Sequence, residues 1–62
     1  MNSLGTVYWY QRQLEKAKDI FEKAIELNPG YIDAYYNLGN TQRDLKAYNK
    51  ALHSYQKVIE LN

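Results

Sequence analysis

The chain has 62 residues and a mass of 7.3 kDa, with eight basic and seven acidic side chains for a net charge of +1. A chain of this size makes one small domain. Its apolar burial and its ordering entropy nearly cancel at roughly 95 kcal/mol each, so contact with another copy or a flanking unit matters to its stability. There is no cysteine and only one histidine, His53, which excludes disulfides, thiolate chemistry and a His-rich zinc site. A near-neutral balance of interleaved charges gathers neither nucleic acid nor anionic lipid, and no apolar run is long enough to span a bilayer.

In chain order, a first short helix is expected from about Asn2 to Gln11. Leu14, Ala17, Phe21, Ala24, Ile25 and Leu27 then recur at three-, four- and seven-residue spacings, one wide face of a second helix. Asn28 and Pro29 end it, because proline cannot continue the backbone ladder. Asp19 and Lys23 are placed as an i,i+4 ion pair on its wet side. Ala34, Tyr35, Leu38 and Leu45 predict a third helix from about Ile32 to Leu45. After a tight Lys46-Ala47-Tyr48 connection, Asn49 is the expected N-cap of the last helix, whose apolar face is Ala51, Leu52, Tyr55, Val58, Ile59 and Leu61. No useful stretch alternates polar with apolar, so the expected class is all-α, with antiparallel helices.

The chain also repeats itself. A shift of 34 residues brings Leu4-Gly5 onto Leu38-Gly39, Lys16-Ala17 onto Lys50-Ala51, Phe21 onto Tyr55, and Ile25-Glu26-Leu27-Asn28 onto Ile59-Glu60-Leu61-Asn62. Glycine within a helix costs about 1 kcal/mol relative to alanine. Its recurrence at Gly5 and Gly39 points to a close approach that a Cβ would obstruct. Ala17 and Ala51 repeat the small-residue choice, and Phe21 and Tyr55 are expected to fill the groove between helices.

On these residues the chain resembles the tetratricopeptide repeats, a family of 34-residue helix–turn–helix units. Leu4, Gly5, Tyr8, Ala17, Phe21, Ala24 and Pro29 match in the first copy; Tyr35, Leu38, Gly39, Ala51, Tyr55 and Val58 match in the second. Met1 stands at a position usually held by tryptophan and Gln42 at one usually held by tyrosine. The family's turn glycine is replaced by Arg12 and Lys46. The resemblance divides the chain into repeat one, residues 1–31, and repeat two, residues 32–62. It implies about 1.8 units of a longer array, either natural or engineered.

The resemblance further implies a non-catalytic protein–protein interaction module, a scaffold whose concave face holds a peptide or protein segment. By matched position that groove is lined by Asn2, Ser3, Thr6, Trp9 and Tyr10 from the first copy. The second copy supplies Asp33, Tyr36, Asn37, Asn40, Arg43 and Asp44. Asparagine amides pair with the donor and acceptor of a ligand backbone, and the rings offer flat contact area at low entropic cost. Each has a plainer reading: Trp9 as local core, Tyr36 as cover for its neighbour, Asn37 as a bridge between repeats, Arg43 and Asp44 as an exposed ion pair. The variant of this groove that grips the carboxylate of an acidic chaperone tail is not expected. Asn2 and Tyr36 replace its first lysine, Thr6 its first asparagine and Asp33 its later lysine, and only Asn37 remains.

An alternative needs no ligand. Leu52, Tyr55, Val58 and Ile59 form an apolar edge that in an array would meet the next repeat. Uncovered, it favours homodimerisation by edge stacking or by helix exchange about Pro29-Gly30. Nothing in the sequence suggests an enzyme. The carboxylates sit beside lysines on wet helical faces, and adjacent His53 and Ser54 point in different directions on a helix. No cofactor or metal is expected. The lack of cysteine and of a basic, apolar leader in Met1-Asn2-Ser3-Leu4-Gly5 favours a cytoplasmic setting.

Overall fold

A computed structural model describes the backbone of residues 2–62 and the side chains of residues 4–62. It is all-α, with four helices among the described residues: α1 (Asn2–Tyr10), α2 (Leu14–Leu27), α3 (Ile32–Asp44) and α4 (Tyr48–Leu61). Each helix packs on the next in sequence, α1 on α2, α2 on α3 and α3 on α4, and α1 meets α3 only sparsely. That pattern is two helical hairpins stacked side by side. Met1, the residue at the usual tryptophan position, lies outside the described residues.

The core is small and sits at the joint between the hairpins. Ala17 and Phe21 of α2 and Leu38 of α3 form one buried cluster, with Tyr8, Trp9 and Ile25 packed around it. Both helical glycines lie beneath aromatic rings. A Cβ at Gly5 would stand 2.6 Å from Cε1 of Phe21, and a Cβ at Gly39 would stand 2.8 Å from Cε1 of Tyr55. The expected close approach is therefore a ring laid on the backbone, once in each repeat.

The hairpin turns replace conformational freedom with strain. Arg12 and Lys46 have φ of 63° and 65°, the left-handed region in which a side chain is disfavoured. The N–H of Arg12 donates to the Trp9 carbonyl and that of Gln13 to the Tyr8 carbonyl; Lys46 donates to Arg43 and Ala47 to Gln42 in the same way. This is the paired-bond ending of a helix that usually carries glycine at its left-handed residue. It stops α1 at Tyr10 and α3 at Asp44, one residue before the expected ends in both cases.

Two local expectations are corrected. Asn49 does not cap α4. The turn closes early enough that the helix begins at Tyr48, and the Ala47 carbonyl accepts its first bond, from the N–H of Ala51. Nor do Asp19 and Lys23 pair: Lys23 lies 4.0 Å from Glu26, and its repeat-mate Lys57 lies 3.6 Å from Glu60. A lysine stem reaches a glutamate one turn onward as readily as an aspartate one turn back, and such exposed pairs contribute little. On α2 the neighbouring Glu15 carboxylate, 3.4 Å away, holds the Lys18 ammonium above its ordinary pKa of 10.5, with Glu22 adding to the effect.

Asn28 and Pro29 end α2 at Leu27, as the sequence suggests. The Tyr31 N–H closes the turn between hairpins onto the Asn28 carbonyl, and the Asn28 side chain accepts from the N–H of Gly30.

Candidate functional site

Because α1 and α3 scarcely touch, a cleft of about 250 Å³ opens between them. Thr6, Trp9 and Tyr10 line it from α1, and Tyr36, Asn37 and Asn40 from α3, with Phe21 of α2 also reaching it. The helical period explains the grouping: residues three and four apart on each helix share one face, and the two faces are turned toward each other. Among the described residues no charged side chain lines the cleft.

Two bonds hold the α3 wall in place. Tyr55 donates its hydroxyl proton to Asn40 Oδ1 at 2.5 Å, fixing the amide with its NH₂ group free to donate elsewhere. Thr41 Oγ1 donates to the backbone carbonyl of Asn37 at 2.9 Å. Tyr36 stands exposed beside Tyr55, with ring centroids 6.1 Å apart and planes inclined at 54°. Across the cleft Trp9 and Tyr10 meet edge to face at 5.1 Å.

Trp9 serves core and cleft together, since it packs against the buried cluster while one side lines the opening. Its indole Nε1 is buried and has no acceptor among the described residues. The repeat pattern gives no warning of this, because Arg43 occupies the matching position.

Of the residues assigned to the groove, Asp33 and Arg43 do not line this cleft. The side chains of Asn2 and Ser3 lie outside the described residues. Arg43 and Asp44 are not an ordinary exposed pair. The Asp44 side chain is largely buried, 3.6 Å from Arg43 and 3.5 Å from Arg12 of the first hairpin's turn. Asp44 is thus a tie between repeats.

The second hairpin carries an exchanged pair in place of the usual tyrosine. Gln42 is buried and its Oε1 accepts from Ser54 Oγ at 2.7 Å. The matching residues of the first hairpin are Tyr8 and Ile20, and Lys16 places its Nζ 5.7 Å from the centre of the Tyr8 ring.

On α4, Leu52 and Ile59 are exposed, while Tyr55 and Val58 are half-buried. Tyr55 is already committed to Gly39 and Asn40 within the chain. His53 is exposed on the same helix, beside a second cleft. Among the described residues no group of three or more His, Asp or Glu side chains is placed to hold a metal ion, and no helix is long and apolar enough to cross a membrane.

Comparison with known proteins agrees with this geometry. A family model described as the tetratricopeptide repeat matches residues 1–31 and again 32–62. An uncharacterised protein, ycf37, of Pyropia yezoensis is 38% identical over 61 residues, which cover 98% of this chain and 34% of that protein. The chloroplastic tetratricopeptide repeat domain-containing protein PYG7 of Arabidopsis thaliana is 36% identical over 58 residues, 94% of this chain and 19% of that one. A UDP-N-acetylglucosamine–peptide N-acetylglucosaminyltransferase of Giardia intestinalis is 32% identical over 60 residues, 97% of this chain and 4% of the enzyme. The chain thus spans about a third or less of the length of these relatives. Such repeats generally mediate protein–protein interaction and are generally non-catalytic. With the family model covering both hairpins, the chain belongs to the tetratricopeptide repeat family.

Proposed function

We propose that this chain is a non-catalytic interaction module whose α1–α3 cleft binds an extended segment of a peptide or protein. The observation that carries the reading is the lining. Four rings, Trp9, Tyr10, Phe21 and Tyr36, and two amides, Asn37 and Asn40, line an opening of about 250 Å³ to which no charged side chain is contributed among the described residues. A space of that size takes one or two side chains rather than a whole ligand. The rings supply desolvated contact area, and the amides align the ligand backbone.

The uncharged lining sets the preference. A ligand carboxylate or ammonium entering the cleft would lose water and gain no counter-charge, so the segment recognised carries uncharged, preferably aromatic or aliphatic, side chains there. Asp33, exposed on the same helix, further disfavours an acidic tail. No catalytic role is assigned: the glycosyltransferase relative matches this chain over a small fraction of its length, and its activity belongs to that enzyme. The cysteine-free composition suits a reducing compartment, the cytoplasm being the simplest choice, and the name of the Arabidopsis relative adds the chloroplast as another.

Selection of peptides from a random phage-displayed library against the chain, with an Asn37→Ala counter-selection, tests the reading. Enriched peptides should share an uncharged aromatic or aliphatic anchor and lose about tenfold or more in affinity to the Asn37→Ala protein, as expected when a backbone-pairing group is removed. Enrichment of acidic peptides, or of binders indifferent to Asn37, would contradict it.

A second reading is favoured by a specific observation, the exposure of Leu52 and Ile59 on α4. In that reading the chain also associates with itself through the edge formed by Leu52, Tyr55, Val58 and Ile59.

A further inference from the structure

The joint between the two hairpins can be compared with what each end of the molecule leaves open. In the joint, Leu38 of α3 is 6% exposed and shares a buried cluster with Ala17 and Phe21 of α2, against which Ile25 packs. One repeat away on the α1 side, Leu4 occupies the position of Leu38 and is 51% exposed. Val7 occupies that of Thr41; Thr41 is fully buried and Val7 is 47% exposed. One repeat away on the α4 side, Ala51, Tyr55 and Ile59 occupy the positions of Ala17, Phe21 and Ile25. Ile59 is 75% exposed where Ile25 is partly buried. The two ends of the molecule are therefore the two separated halves of one joint that the chain already makes internally.

We propose that these halves meet between molecules, so that the chain associates head to tail, with Leu4 and Val7 of one copy seated on Tyr55 and Ile59 of the next. This rests on the self-association reading of the α4 edge and adds the surface that the edge meets. The occupant is a second copy because its α1 carries at Leu4, one repeat earlier, the same leucine that α3 presents to α2 at Leu38. The contact is heterologous, since one surface meets a different one. It therefore leaves a free end of each kind and continues beyond a dimer. It is also weaker than the internal joint. Arg12 and Asp44 tie the hairpins together at 3.5 Å, whereas the matching residues across the new contact are Lys46 and Tyr10, which form no ion pair.

The test uses sedimentation velocity on the 62-residue chain and on two variants that place an acid on an exposed apolar position, Leu4→Glu at one end and Ile59→Glu at the other. Circular dichroism checks that each variant is folded; should Leu4→Glu fail that check, Val7→Glu blocks the same end. The unmodified chain should grow with concentration past the dimer, and each variant alone should remain monomeric under those conditions. An equimolar mixture of the two should form a one-to-one dimer and nothing larger, because each brings the one surface the other lacks. If Ile59→Glu abolished association while Leu4→Glu associated like the unmodified chain, the head-to-tail contact would be overturned and an edge-to-edge dimer through α4 would stand. A monomer at every concentration would overturn the self-association reading itself.

Discussion

Gly39 and the ring of Tyr55 are stacked so closely that any side chain at residue 39 would displace the ring: a Cβ there would come within 2.8 Å of Cε1 and 3.0 Å of Cδ1. The same ring delivers its hydroxyl to Asn40 in the cleft. One residue's lack of a side chain thus sets the position of a groove amide through a tyrosine on another helix. Gly39→Ala would gain about 1 kcal/mol of helix propensity and lose about 1–3 kcal/mol to overpacking, besides the Tyr55–Asn40 bond. The expected net loss is about 1–2 kcal/mol in denaturant unfolding followed by circular dichroism. Combined with Tyr55→Ala, the substitution should cost much less than the sum of the two, because the clash disappears with the ring.

Lys46→Gly should stabilise the chain. Its φ of 65° carries a steric penalty of about 1–2 kcal/mol for a residue with a side chain, and glycine relieves much of it despite the greater freedom of its unfolded state. Arg12→Gly relieves the same strain at φ of 63° but also removes the ion pair with Asp44. The gain in melting temperature should therefore be larger at residue 46 than at residue 12. Equal losses from both would contradict the assignment of strain.

Much of the fold is legible in the sequence because it rests on spacing. The 34-residue period, the four helices and the glycine beneath each aromatic follow from recurrences that packing imposes twice. Details decided by a few tenths of a kcal/mol are not legible. Asn49 looks like a cap, yet the left-handed Lys46 turns the chain so tightly that α4 begins before it. Lys23 has an acid available in both directions and takes Glu26. In the cleft, the positions brought together, Thr6, Trp9, Tyr10, Tyr36, Asn37 and Asn40, lie on one face of each helix and could be listed from the period alone. Asp44 differs, because its partner Arg12 lies in a turn whose path depends on strained backbone.

The Gln42–Ser54 bond, 2.7 Å long and buried, replaces the Tyr8 and Ile20 of the first hairpin as a pair. Ser54→Ala should cost about 1–3 kcal/mol by leaving the Gln42 carbonyl without its donor. Converting both positions together, Gln42→Tyr with Ser54→Ile, transplants the first hairpin's solution and should cost less than the sum of the two single changes. Additive losses in urea unfolding would show that the two positions are independent.

The central claim is that ligands enter the cleft between α1 and α3, and Trp9 reports on it directly as the chain's one tryptophan. The decisive measurement is Trp9 emission during titration with a selected peptide bearing an uncharged anchor. The account predicts a saturable shift in intensity and wavelength that weakens about tenfold in Asn37→Ala, the scale expected for a lost hydrogen bond. Saturable binding by an independent method with unchanged Trp9 emission and no sensitivity to Asn37 would place the ligand elsewhere and contradict the account.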